Sequence, residues 1–150
     1  MSDAPRLLGR VSGDFQLSAR VSVGFRSSFD AGVLVLWADE RSWAKLCFEA
    51  SPQLEPMVVS VVTRDVSDDC NAFVVDEDRV WLRIAKLGRA YAFHASADGS
   101  RWQLVRHFGL GDARPRVGFL AQSPRGAGCR ALFDEIEFAA ATLADIRSGE

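Results

Sequence analysis

The feature that most constrains this chain is a strict alternation over eleven residues. Phe15, Leu17, Ala19, Val21, Val23 and Phe25 are apolar or small, and Gln16, Ser18, Arg20, Ser22 and Gly24 separate them. A period of two places every second side chain on one face, which describes a strand buried on one side only. Apolar or alternating segments recur at Val33–Trp37, Trp43–Ala50, Val58–Thr63, Val80–Ile84, Tyr91–Ala95, Trp102–Arg106, Val117–Ala121 and Cys129–Phe138. Turn signals separate them at Ser27–Asp30, Asp39–Ser42, Leu87–Arg89, Asp98–Gly99 and Ser123–Gly126. Pro52 and Pro56 make the intervening stretch a loop or an edge, and Asp65–Asn71 reads as a polar loop. Only Ala139–Arg147 has helical composition, so a short helical tail is expected there. Nine or ten short strands with regular turns and no long amphipathic helix predict an all-β sandwich or barrel.

Length and composition set the outer limits. The 150 residues suit a single domain spanning 1–150, and 48% hydrophobic residues provide for a core. Eighteen basic against twenty acidic residues give a net charge of −2, which supplies no general attraction to nucleic acid or to an acidic membrane. No apolar run approaches the roughly 20 residues of a membrane span. The N-terminal Met-Ser-Asp-Ala-Pro-Arg lacks the basic and apolar regions of a secretory signal. Cys47, Cys70 and Cys129 are odd in number and widely spaced, which matches neither a disulfide framework nor a zinc pattern. Reduced thiols in a cytoplasmic protein are therefore expected.

Four motifs, in order from Asp30 to Phe138, resemble a known family. The first is Asp30-Ala31-Gly32, followed by an apolar strand, an acidic turn and Trp43-Ala44-Lys45. The second is Ser60-Val61-Val62-Thr63-Arg64 followed by Ser67-Asp68. The third runs from Val80-Trp81-Leu82-Arg83-Ile84 to Ser96-Ala97-Asp98-Gly99-Ser100-Arg101-Trp102. The fourth is Val117-Gly118-Phe119 to Ser123-Pro124, ending in Phe133-Asp134-Glu135. Together they resemble the concanavalin A-like lectin/glucanase domains of unknown function that include the "regulation of enolase" protein. They are also similar to the accessory C-terminal β-sandwich of some xylosidases and arabinofuranosidases. The resemblance implies a two-sheet antiparallel jelly-roll β-sandwich with one curved sheet, and no established reaction. Family members commonly place an aromatic after the Ser-Asp pair, where this chain has Asp69 and Cys70.

Alternation also groups candidate binding residues. If Leu46 and Phe48 point inward, Trp43, Lys45, Cys47 and Glu49 point outward. Taking Val59, Val61 and Thr63 inward puts Ser60, Val62 and Arg64 outward. Taking Val80, Leu82 and Ile84 inward puts Trp81 and Arg83 outward. Trp43, Lys45, Glu49, Ser60, Arg64, Trp81 and Arg83, with His94 from a neighbouring strand, are thus expected to converge on one concave face. Tryptophan rings stack on the apolar face of a pyranose, and charged groups bond its hydroxyls or a carboxylate. A saccharide or small carboxylate is the ligand such a face would take. The competing expectation is cross-strand charge pairing on an exposed sheet.

Other constellations point elsewhere. Glu135 and Glu137 share a face by alternation, as the carboxylates of a glucanase would. The preceding same-face position is Phe133, and no third carboxylate completes the pattern. Ser96–Trp102 resembles a shortened Asp-box whose role is turn chemistry. Asp65, Asp68 and Asp69 lack the spaced ligands and glycine of a calcium loop. His94 and His107 have no partners for zinc, no nucleophile motif is present, and no cofactor is expected. Three readings follow: a lectin-like binding module, an intracellular interaction domain that pairs through a sheet face or edge (with a partner or as a homodimer), and a glycoside hydrolase using Glu49 or Glu135.

Overall fold

The computed structural model describes residues 3–150; Met1 and Ser2, part of the N-terminal reading above, lie outside the described residues. Among the described residues eleven strands form two antiparallel sheets: β1 Arg6–Gly9, β2 Phe15–Gly24, β3 Ala31–Asp39, β4 Ser42–Ala50, β5 Pro56–Arg64, β6 Val66–Val74, β7 Arg79–Leu87, β8 Ala90–Ser96, β9 Gln103–Gly109, β10 Arg116–Gln122 and β11 Arg130–Ala139. Sheet A has the order β1-β10-β3-β4-β5-β6, and sheet B the order β11-β2-β7-β8-β9.

The core lies between the sheets. Phe15, Leu17, Ala19 and Val21 of β2, with Val80, Leu82 and Ile84 of β7, face Leu34, Leu36, Ala44, Leu46, Phe48, Val58 and Val62 of sheet A. Each of these side chains comes from alternate positions of its strand, as a face-to-face sandwich requires. The inward sets expected for β2, β4 and β7 are the observed ones.

Sheet A is apolar on its second face too. Ala31, Val33, Val35, Trp37, Cys47, Val59 and Leu120 form a separate buried cluster there, with Leu8, Trp43 and Met57 packed against it. Both faces of β3 are therefore apolar, which explains the unbroken apolar run Val33–Trp37.

Four expectations need correction. The polar segment read as a loop is the edge strand β6, exposed along almost its whole length. Edge strands tolerate charge, and charge there blocks pairing with further chains, so acidic side chains do not argue against a strand. Arg106 of β9 donates to the Asp68 carbonyl at 3.0 Å and pairs with its carboxylate at 2.8 Å, joining the edge of one sheet to the edge of the other. The strand expected over Trp102–Arg106 is β9, Gln103–Gly109, so His107 is part of it. The N-terminal strand β1 was not anticipated; its four residues pair with β10. The tail contains no helix: residues 140–150 run as turns and extended chain across sheet B. They are fixed by Leu143, which packs with Ala85 and Ala92, and this burial outweighs the weak helical preference of an alanine-rich stretch.

Two of the family-like motifs are structural. Asp30 is fully buried, and its carboxylate accepts from the backbone of Arg26 and Ser27 and from Ser123 Oγ at 2.6 Å. Burial pushes its pKa up, but the hydrogen bonds from Ser123, Arg26 and Ser27 together hold it below the usual value. At the β8–β9 turn, Asp98 Oδ1 accepts from the amides of Ser100 and Arg101, both at 2.8 Å. Gly99 there has φ 77°, and a Cβ on it would lie 3.0 Å from the Trp81 ring. Only glycine meets both demands.

Candidate functional site

The expected binding residues do not converge on one face; they divide among three environments. Trp43, Lys45 and Glu49 are together on the outer face of sheet A, as alternation along β4 predicts. Ser60 lies on the opposite side, fully buried between the sheets. Its strand is inverted relative to expectation, because Val58 pairs with Phe48 and both point into the core. The run Val58–Thr63 is apolar on both faces, so alternation alone could not choose between them. Arg64 follows the same phase and is exposed at the strand end, donating to the Gly109 carbonyl at 3.3 Å. Trp81, Arg83 and His94 belong to sheet B, on its outer face; Arg83 and His94 are direct cross-strand partners.

On the outer face of sheet A, register brings further residues beside the β4 set. Trp37 pairs with Trp43, and their rings stack at 6.5 Å with 20° between planes. Arg6 lies over the Trp37 ring at 4.0 Å, and Lys45 over the Trp43 ring at 6.0 Å. Trp37 is buried beneath this cover, whereas Trp43 is half-buried and offers part of its ring. Lys45 Nζ donates to Gln122 Oε1 at 3.1 Å. Gln122 Nε2 in turn donates to Glu49 Oε2 at 3.2 Å and to the Phe29 carbonyl at 3.2 Å. Gln122 reaches them because β10 pairs with β3, where Gln122 stands opposite Ala31 and Ala31 opposite Glu49. Asp69 of β6 completes the set from the other side, opposite Val61, while Val61 stands opposite Lys45.

Glu49 and Cys47 are the groups of this face whose titration is shifted. Glu49 is 9% exposed. Burial pushes its pKa above the ordinary glutamate value, Lys45 pulls it down and Asp69 raises it again. Cys47 is entirely enclosed on the floor of this face, and burial pushes its thiol up to about 12. A tryptophan edge, an ammonium, a carboxamide and two carboxylates around an apolar floor can orient a polyhydroxylated ligand by stacking and by hydrogen bonds of both polarities.

A cleft of about 940 Å³ opens at one end of the sandwich, between the sheets, and touches the outer-face cluster of sheet A at Trp37. Its lining includes Trp37, Tyr91 and the basic residues Arg10, Lys86, Arg89, Arg114 and Arg116. Asp112 in the cleft pairs with Arg89 at 2.6 Å, and Lys86 lies 3.7 Å from Asp14. The cleft is thus cationic, a property suited to an anionic ligand. Trp37, Gln122 and this cleft were missed from sequence. The signal for Trp37 was present: a strand apolar on both faces implies a second buried cluster outside the core.

The sheet B group is built differently. Arg83 is 6% exposed and His94 fully buried. Burial alone brings the Arg83 guanidinium down to about 10. Burial also lowers His94, partly offset by the Ile146 carbonyl, and the Arg83 charge lowers it further. Trp81 Nε1 donates to Glu135 Oε2 at 2.9 Å, and Arg20 pairs with both Asp134 and Glu135 at 2.7 Å. Glu135 sits at φ 46° in a bulge of β11, so the alternation that would pair it with Glu137 is broken. The acidic run Asp65, Asp68 and Asp69 is likewise dispersed. Asp65 pairs with Arg41, Asp68 with Arg106, and Asp69 belongs to the outer face of sheet A.

The chain is similar to a functionally unknown protein from Saccharomyces cerevisiae, with 25% identity and a TM-score of 0.83 over 92% of this chain and 75% of that one. It is similar in fold to the GH43 protein BlXynB from Bacillus licheniformis, with 14% identity and a TM-score of 0.74. There it covers 91% of this chain but only 30% of the larger protein. The carbohydrate-binding module CBM66 from Bacillus subtilis matches at 12% identity and a TM-score of 0.58, over 91% of both chains. No curated protein matches the chain. Residues 1–141 match the family described as "Protein of unknown function (DUF1349)", and the chain belongs to that family.

Proposed function

We propose that this domain is a non-catalytic, lectin-like binding module that holds a saccharide or sugar acid on the outer face of sheet A. The observation that carries the reading is the half-exposed Trp43 beside the Lys45–Gln122–Glu49 chain, next to a cationic cleft. Trp43 would stack on the sugar ring. Lys45 and Gln122 would donate to hydroxyls, Glu49 and Asp69 would accept from them, and the arginines of the cleft would meet a carboxylate. The likeness to a carbohydrate-binding module and to GH43 sandwich domains supports a carbohydrate as the ligand class. The reading includes the curved jelly-roll form and a cytoplasmic setting; the three free cysteines support the latter.

Isothermal titration of the full chain with xylohexaose, glucuronate and galacturonate tests the proposal. Saturable binding is expected, stronger for the sugar acids, and weakened at least tenfold by Trp43→Ala. Absence of binding by the unaltered protein at millimolar ligand would overturn it.

A second reading, an interaction domain that pairs through a sheet edge, rests on β11. This edge strand leaves Leu132, Ile136 and Phe138 about half exposed. Sedimentation equilibrium would show self-association, reduced by Ile136→Lys, if that edge pairs two copies; a monomer at all concentrations would exclude the homodimer.

A further inference from the structure

We propose that Arg83, His94 and Trp102 form a second ligand site, specific for a small carboxylate, and that residues 140–150 are the lid that closes it. The site is on sheet B and does not depend on the saccharide reading of sheet A.

A buried arginine normally has a carboxylate partner, because an uncompensated charge away from water is costly. Among the described residues Arg83 has none. Its Nη2 donates to the Gly149 carbonyl at 2.5 Å, its guanidinium lies over the Trp102 ring at 4.2 Å, and its Nε has no hydrogen-bond partner. The neighbouring His94 meets the Ile146 carbonyl through Nε2 at 2.8 Å, and its Nδ1 is also without a partner. Two cross-strand donors therefore converge on two carbonyl oxygens of one segment. Those oxygens occupy the positions that a bound anion's oxygens would take, yet carry only partial charge. A planar carboxylate would engage the Nε–Nη2 fork of Arg83 side by side, using the donor that the lid leaves idle.

The lid is held by a small apolar anchor and by Gln16 Nε2, which lies 3.5 Å from the Ala141 and Thr142 carbonyls. Leu143 and Ile146 pack on Ala85, Ala92, Leu87 and Leu104. Arg147 N, Gly149 N and Glu150 N close a turn on Asp145. Gly149 is essential to closure: at φ 76°, a Cβ would lie 2.4 Å from Arg83 Nη2 and 2.7 Å from Trp102 Cβ. Beneath the lid, Arg83 and His94 are held in β7 and β8, and Trp102 immediately precedes β9.

The lid and ligand must therefore compete, and lid release should strengthen binding. The test is NMR titration of the full chain with sodium acetate against sodium chloride at equal ionic strength, following the Trp102 indole and the Gly149 amide. Gly149→Ala and, independently, Leu143→Ser are expected to lose hydrogen-exchange protection at residue 149 and to bind acetate at least tenfold more tightly than the unaltered chain. Adding Arg83→Met to Gly149→Ala should abolish binding. Three results would overturn the proposal. One is binding that survives Arg83→Met. Another is inorganic phosphate binding as tightly as acetate, which would remove the carboxylate assignment. The third is failure of both lid variants to bind acetate better than the unaltered chain, whether or not their lids open.

Discussion

The Trp81 indole donates to the Glu135 carboxylate at 2.9 Å, so a side chain of β7 holds a bulge two strands away in β11. Glu135 has φ 46°, a conformation that non-glycine residues adopt at a cost, and the indole and Arg20 together fix it. Trp81→Phe keeps the ring over Gly99 but removes the donor. It is expected to lower stability by roughly 0.5–1.5 kcal/mol, read by urea denaturation, and to broaden the NMR signals of β11 more than those of β8.

Glu49 gives a pH dependence of definite sign. Its pKa is raised in the folded protein, chiefly by burial, so the native state binds this proton more tightly than the unfolded chain does. Its contribution to stability is full below the ordinary value of 4.5 and is lost as pH rises through the folded value. Glu49→Gln removes the charge that burial penalises. The melting temperature of the variant relative to the unaltered protein should therefore be more favourable at pH 7 than at pH 4. A difference that does not change with pH would refute the assignment.

Ser60 is fully buried in the sandwich, opposite Leu46, and its hydroxyl has no hydrogen-bond partner among the described residues. Ser60→Ala discards an unsatisfied polar group at little loss of packing. It should raise stability by about 1 kcal/mol, or roughly 2–4 °C in melting temperature for a domain of this size. A destabilised variant would mean that the hydroxyl is satisfied in solution.

The three thiols should react in sequence. Cys70 is exposed on β6, Cys129 is partly covered, and Cys47 is enclosed with its thiol pushed up to about 12. Burial also raises Cys129, whose Sγ donates to the Gln122 carbonyl at 3.1 Å. With a disulfide reagent at pH 8, one fast, one slow and one denaturation-dependent reaction are expected.

Strands were legible where one face meets the core and the other meets water, as in β2 and β7. There, alternation separates the faces unambiguously. In β3 and β5 both faces are apolar, so the pattern announces a strand without saying which way it points, and alternation alone does not place Ser60 on the inner face where it lies. In β6 the edge position permits a polar sequence that imitates a loop. The tail imitates a helix because alanine-rich composition reports local preference, while the anchor of Leu143 on Ala85 and Ala92 is a long-range fact. Within the candidate sites, Trp43, Lys45 and Glu49 could be grouped from one strand. Gln122 could not, because which strand lies beside β3 is decided by pairing across some ninety residues of chain.

Arg106 also couples the two sheets to each other at their rims. A single guanidinium ties β9 to β6, so the two rims on that side are fastened to each other while β6 itself stays open to solvent. Arg106→Met would remove both contacts to Asp68 at once, so the link between the two rims is lost in a single change.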